Sequence, residues 1–301
     1  MNDEDRARAA METIPVLAGY RGPVTRLGGL TNLVFQAGDW CLRLPGKGTE
    51  EYIDRRNERV AAIEAARVGA GPEVAHADAE TGLMATRFIA GATTMTPENF
   101  RTIAGAPARA GEAFRRLHDS DAVFSARFEL FAMIDDYLSI LSGKDVALSE
   151  GYHDVLQEAE AVRAALAARP LPVVACHCDP LCENLLDTGE RMWIVDWEYS
   201  GMNDPMWDLG DLSVEAEFDA AQEEEMIRAY FRGEPTPAER GRIVIYKAMC
   251  DLLWTLWGLI QLANGNPAAD FRAYADGRFA RCRALMADPV FAPSVAAVAK
   301  G

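Results

Sequence analysis

A secretory leader is not expected from the first stretch of this chain. MNDEDRARAAMETI carries acidic residues where a basic lead and an apolar block would stand. Long hydrophobic runs are missing too. The most apolar one, Leu252 to Ile260, is too short to span a bilayer and gives way to Gln261 and a Gly/Asn/Pro loop, so no stable membrane insertion is expected. Positive charge is scarce: 30 Lys and Arg stand against 46 Asp and Glu, a formal net charge of -16. Such a surface repels phosphate backbones, which excludes a general nucleic-acid binder and favours a cationic substrate. Six cysteines in 301 residues make no small secreted framework, so reduced thiols and a cytoplasmic location are expected. Internal repeats, low-complexity tracts and long linkers are absent as well. The length predicts two domains in contact, with a cleft between them.

The chemistry concentrates between Val173 and Glu217. Val173, Val174 and Ala175 end a short apolar segment, after which come His177, Asp179 and Asn184; Met192 to Val195 then form a second apolar run closed by Asp196. The spacing H-x-D-x-x-x-x-N, followed after a hairpin by an apolar run capped with Asp, suits phosphoryl transfer. One carboxylate orients the attacking hydroxyl and accepts its proton, while an Asn and a second Asp hold the Mg²⁺ that bridges the nucleotide phosphates. Asp179, Asn184 and Asp196 fit those roles. Singly, each would read as a turn residue bonded to its own backbone; the ordered set is what carries the reading. Cys176, Cys178 and Cys182 flank His177, but strand alternation points two of them away from it and no C-x-x-C is present, which argues against a thiolate metal site.

The N-terminal part reads as a nucleotide-binding unit. Residues 1 to about 20 are a helical lead-in with Leu17 and Tyr20 available for burial. Leu33 to Gln36 and Trp40 to Leu44 are strands around a Gly38-Asp39 turn. At the entrance, Gly28 and Gly29 let backbone amides approach phosphates, with Thr31 and Asn32 supplying polar side chains. Arg43 on the second strand and Glu58 on the helix Asp54 to Val68 match the cation and glutamate pair that fixes nucleotide phosphates. Leu83 to Ile89 is a strand leading to Gly91, and Thr86 to Gly91, with Phe88 and Ile89, is the expected hinge beside an adenine. From Thr96 the pattern is helical: Ile103 to Leu117, Phe128 to Leu141, and Tyr152 to Ala167. His118 is expected to cap a helix C-terminus.

GGLTN, CLRLPG, Glu58, HCDPLCEN and IVDWEYSGMNDPMWDLGD together resemble the choline/ethanolamine kinase family, within the aminoglycoside-phosphotransferase and protein-kinase-like superfamily, over nearly the whole chain. The run LRLPGKGTEEYIDRRNE is similar to the bacterial choline kinase-like members. The resemblance implies a two-lobed α+β protein-kinase-like fold, with a small β-rich N-terminal lobe over 1–90 and a larger, mostly helical C-terminal lobe over 91–301. It also implies ATP and Mg²⁺ as cofactors and a small cationic alcohol as substrate. By matching motif, Asp179 is the base, Asn184 and Asp196 are the metal ligands, Arg43 and Glu58 anchor phosphate, and His177 and Asp208 brace the catalytic loop.

Substrate identity rests on other residues. A quaternary ammonium donates no hydrogen bond, so aromatic faces and a nearby carboxylate must hold it. Tyr199, Trp254, Trp257 and Tyr274 match the positions of the family's aromatic cage, and Glu215 an acidic residue beside it; without that match, Trp among Leu and Ile would read as core. Choline is the expected acceptor. Ethanolamine stays open because of Glu198, Asp204, Asp211 and Glu215, thiamine is a third cationic alcohol, and an aminoglycoside kinase or a catalytically silent binder stands behind these.

Overall fold

The computed structural model describes residues 2–28, 32–46 and 53–301. Helix α1 (Asp3–Met11) starts in a capping box in which the Asn2 side chain accepts from the Asp5 amide at 2.8 Å. It buries Ala7 and Met11 and, with Ile14 and Leu17, covers one face of an antiparallel sheet. That sheet contains β1 (Val24–Gly28), β2 (Leu33–Ala37), β3 (Trp40–Leu44), β4 (Val74–Ala77) and β5 (Met84–Arg87), ordered β1-β2-β3-β5-β4. The Gly38-Asp39 turn sets Ala37 opposite Trp40 and Leu33 opposite Leu44. Period-two alternation then sends Phe35 and Leu42 into the core under α1, while Arg43 points to the opposite side. Strand β4 is not foreseen from sequence. Val-Ala-His-Ala has little apolar signal, and it becomes a strand because β5 offers it an edge to pair with.

Helix α2 (Arg55–Arg67) is capped by Asp54, whose side chain accepts from the amides of Arg56 and Asn57. Its Ala61, Ala62 and Ala65 bypass the small core and join the larger one below, so α2 ties the lobes together. Beyond Gly91 the chain leaves the sheet. Thr93–Thr94 (β6) pairs with β8 (Leu185–Asp187), β8 with β9 (Met192–Ile194), and β7 (Val174–Cys176) with β10 (Gly201–Asn203). Around these lie α3 (Pro97–Thr102), α4 (Ala106–His118), α5 (Leu130–Ser142), α6 (Tyr152–Glu158), α7 (Glu160–Ala168), α8 (Met206–Glu215), α9 (Ala220–Phe231), α10 (Pro237–Ala263), α11 (Phe271–Ala287) and α12 (Phe291–Lys300). The result is a two-lobed α+β fold with a small sheet lobe and a larger helical lobe.

Two helices differ from their sequence reading. The stretch from Ile103 starts as a helix only at Ala106, because Ile103 is extended and Gly105 takes φ +74. The stretch from Tyr152 breaks at Ala159 into α6 and α7. A third difference concerns α10. The apolar run Leu252 to Ile260 belongs to a 27-residue helix, which by length and hydropathy could cross a bilayer, yet 89% of its apolar window is buried inside the protein. Arg242 and Asp251, which look like polar interruptions, carry the helix onward because each is buried in an ion pair, Arg242 with Asp204 and Asp251 with Arg278. Gly210 lets α8 lie against α10, since a Cβ there would stand 2.8 Å from the Ile243 carbonyl oxygen.

Candidate active site

Strand β7 ends at Cys176 and releases His177, Cys178 and Asp179 into a loop that α8 clamps. Asp208, wholly buried, accepts from the His177 amide at 2.8 Å and the Cys178 amide at 2.8 Å. Trp207 donates its indole N–H to the Cys178 carbonyl at 3.0 Å. These bonds hold Cys178 at φ +68, a conformation a side-chain-bearing residue adopts only under constraint. Each amide bonded to a carboxylate is worth about 1.5–3 kcal/mol. The His177 ring donates Nε2–H to the Val195 carbonyl at 2.9 Å and so ties this loop to the one carrying Asp196; burial lowers its pKa, keeping it neutral.

His118 is not a helix cap. Its ring lies inside, with Nε2 3.0 Å from Asp208 and Nδ1 3.0 Å from the Tyr230 hydroxyl. Since carboxylates accept, Nε2 carries the proton and the Tyr230 hydroxyl donates to Nδ1. His118, Cys176 and Asp208 have ligand-capable atoms within 4.8 Å of one another. Asp208 already accepts three N–H bonds, however, and burial pushes the Cys176 thiol up, so hydrogen bonding accounts for the cluster.

Asp179 lies where the two loops and the helical lobe meet. Burial, then Asp211, Asp196 and Glu215, push its carboxyl well above the usual range against the pull of Arg278. A base so placed holds a proton more strongly once it has taken one. The short turn Cys182–Asn184 brings Asn184 back, where its Nδ2 donates to the Asp179 carbonyl at 3.0 Å and turns Oδ1 the other way. The Val195 amide donates to the Asn184 carbonyl at 2.9 Å, placing Asp196 alongside. Asp196 takes φ +65, and its buried Oδ1 accepts no hydrogen bond from the described residues. Its pKa is pushed up to about 7 by burial and by Glu198, against Arg43. An orphaned carboxylate oxygen beside an outward-turned amide oxygen is a hard-oxygen donor set that fits Mg²⁺.

The sheet lobe brings Arg43 to the same place. Its guanidinium contacts Glu58, lies 3.0 Å from Glu198 and 3.6 Å from Asp196, and donates to the Gly82 carbonyl at 3.1 Å. Arg55 joins Glu58 at 2.9 Å and Glu198 at 2.5 Å, and Asn32 donates to Glu198 at 2.9 Å. Burial opposes the Arg43 charge, but Glu58, Glu198 and Asp196 outweigh it and raise its pKa. Arg55 is missed in the sequence, although its i, i+3 spacing from Glu58 is a usable signal; Glu198 figures there only as one nearby carboxylate. Gly29 and Thr31 lie outside the described residues. Among the described residues nothing stands within 4 Å of where a Cβ at Gly28 would be, so no contact with them demands glycine there. Phe88 and Ile89 follow β5, half-buried; the Phe88 amide is engaged by the Asp39 carbonyl at 2.8 Å, so its N–H does not face an adenine.

The aromatic residues gather on the helical side. The Tyr199 and Trp254 rings are 5.2 Å apart at 76°, Trp257 donates its indole N–H to the Tyr199 hydroxyl at 2.7 Å, and Trp257 and Tyr274 are 5.6 Å apart. The Trp254 indole N–H points at Asp211, 3.3 Å away. Glu215 meets Arg278 at 2.5 Å, a partner that sequence reading misses. The pKa of Tyr274 is raised by burial, against the pull of Arg278 and with Glu215, Asp179 and Asp211 contributing, so this ring lies within the field of the base.

Residues 24–243 match the phosphotransferase enzyme family. The chain is 71% identical to a choline/ethanolamine kinase family protein from Mesorhizobium loti, over 99% of both chains, with a TM-score of 0.92. It is 26% identical to choline kinase LicA from Streptococcus pneumoniae, covering 94% of this chain and 98% of that one, with a TM-score of 0.81. It is also 26% identical to ethanolamine kinase 2 of Mus musculus, over 79% of this chain and 67% of that protein.

Proposed function

Since the chain belongs to the choline/ethanolamine kinase family of phosphotransferases and is an ATP-dependent small-molecule kinase, we propose that its acceptor is choline. The observation that carries this is the ring cluster of Tyr199, Trp254, Trp257 and Tyr274, whose Tyr274 lies in the field of Asp179, Asp211 and Glu215. Ring faces bind a trimethylammonium through cation–π contacts of roughly 0.5–2 kcal/mol each. Asp179 orients the acceptor hydroxyl and takes its proton as the bond to the γ-phosphorus forms in line with the bond to the β,γ-bridging oxygen, which breaks to release ADP. Arg43, fixed by Glu58, holds the phosphates, and the backbone from Thr86 to Gly91 edges the base pocket through groups other than the Arg87 and Phe88 amides. Asn184 and Asp196 would hold Mg²⁺, which supplies neutralisation of the β- and γ-phosphate charge. His177 and Asp208 keep the loop in register.

Ethanolamine is the second reading, favoured by the density of Asp179, Asp211 and Glu215, which could accept from a primary ammonium. ADP release with ATP and Mg²⁺, measured against choline, ethanolamine, thiamine and kanamycin, separates the two. Selective turnover of choline is expected. Selective turnover of ethanolamine or thiamine keeps the mechanism and overturns the role given to the rings.

A further inference from the structure

Arg278 stands inside the acceptor end of the cleft in the position of a cation. It is 6% exposed, and it follows Tyr274 by one turn of α11, which lays its guanidinium carbon 4.7 Å from the centroid of that ring. One of its nitrogens is 2.5 Å from Glu215 and 3.1 Å from Asp251. Asp251 is wholly buried on α10 and also receives Arg281 at 2.6 and 2.7 Å, so Arg278 is anchored from behind rather than swinging. The rest of the Tyr274 ring is seated on Gly258, where a Cβ would come within 2.7 Å of it. Tyr274 is thus packed on one side by α10, and like Tyr199 and Trp257 it keeps partly exposed surface.

An ammonium with hydrogens takes its binding from strong acceptors, and a carboxylate already ion-paired with a guanidinium is a poorer one. A quaternary ammonium takes its binding from ring faces and from the net field, which Asp179 and Asp211 still supply. Repulsion by the Arg278 charge acts on both cations alike and cancels in their ratio. We propose that Arg278 sets the preference for quaternary over primary ammonium alcohols by occupying Glu215 from within. This rests on the choline reading above, and it makes Arg278 a specificity-determining residue that acts through Glu215.

The test is kcat/KM for choline and for ethanolamine in the wild type, Arg278→Gln, Arg278→Lys and Glu215→Gln, with the ATP KM and Tm as folding controls. In Arg278→Gln the choline-to-ethanolamine ratio should fall about ten-fold, through a lower ethanolamine KM, with Arg278→Lys recovering most of it. A ratio within about two-fold of wild type in folded Arg278→Gln overturns the proposal. Should that variant not fold, Glu215→Gln decides: equal losses for the two acceptors support an occupied Glu215, and a loss confined to ethanolamine refutes it. The wild-type ratio judges the choline reading separately. An enzyme preferring ethanolamine sinks that reading and leaves Arg278 to the shift in the ratio, and turnover of neither acceptor sinks both.

Discussion

The two ends of the cleft are held together by different physics. At the phosphate end, two arginines and three carboxylates from β3, α2 and the loop after β9 neutralise one another, so the site is assembled from both lobes. At the acceptor end, rings and a tethered arginine come from α10, α11 and the Tyr199 loop, all within the helical lobe. A buried ion network is costly when broken, because the partner left behind keeps an unpaired charge. Packed rings lose contact area in proportion to what is removed. The phosphate end should therefore fail abruptly and affect nucleotide and metal, whereas the acceptor end should fail by degrees and affect the alcohol alone.

The largest break lies between the ends. Asp179→Ala should lower kcat by about 10²–10⁴-fold while leaving nucleotide binding, measured by titration calorimetry, nearly intact. Next comes the metal: chelation by EDTA should stop turnover and added Mg²⁺ restore it, and Asp196→Asn should raise the Mg²⁺ concentration needed, with kcat down by about 10²-fold or more at saturation. An unchanged Mg²⁺ requirement would remove Asp196 from that role. Trp257→Ala sharpens the other end, with an expected rise in choline KM of about 3- to 30-fold against little change for ATP; equal changes would make the ring part of the core only. The smallest effect should come from the brace. His118→Gln should lower kcat several-fold with both KM values kept, and Tyr230→Phe, which removes only the hydroxyl that fixes the imidazole tautomer, should cost about 1 kcal/mol of stability in a denaturant melt.

Legibility followed distance along the chain. Asp179, Asn184 and Asp196 lie within eighteen residues and are delivered by two local turns, so their order alone announces them. Arg43 and Glu58 were readable for the same reason, a strand cation followed by a helix glutamate. Asn32 and Glu198 bond across 166 residues, and Arg43 and Glu198 across 155, separations over which no spacing rule operates. His118 looked like a helix end because its role depends on Asp208, 90 residues away.

By itself the sequence determined the reaction class, since phosphoryl transfer needs few groups and those lie in short motifs, and it determined the two lobes through the change from period-two to helical patterning. Only the tertiary structure decided which charges remain available. Glu215, Arg43 and Asp208 carry the same formal charge on paper as they do in the fold. Arg278 pairs with the first, Glu58 and Glu198 hold the second, and three N–H donors fix the third, because burial forces each charge to find a partner from whatever element packs against it.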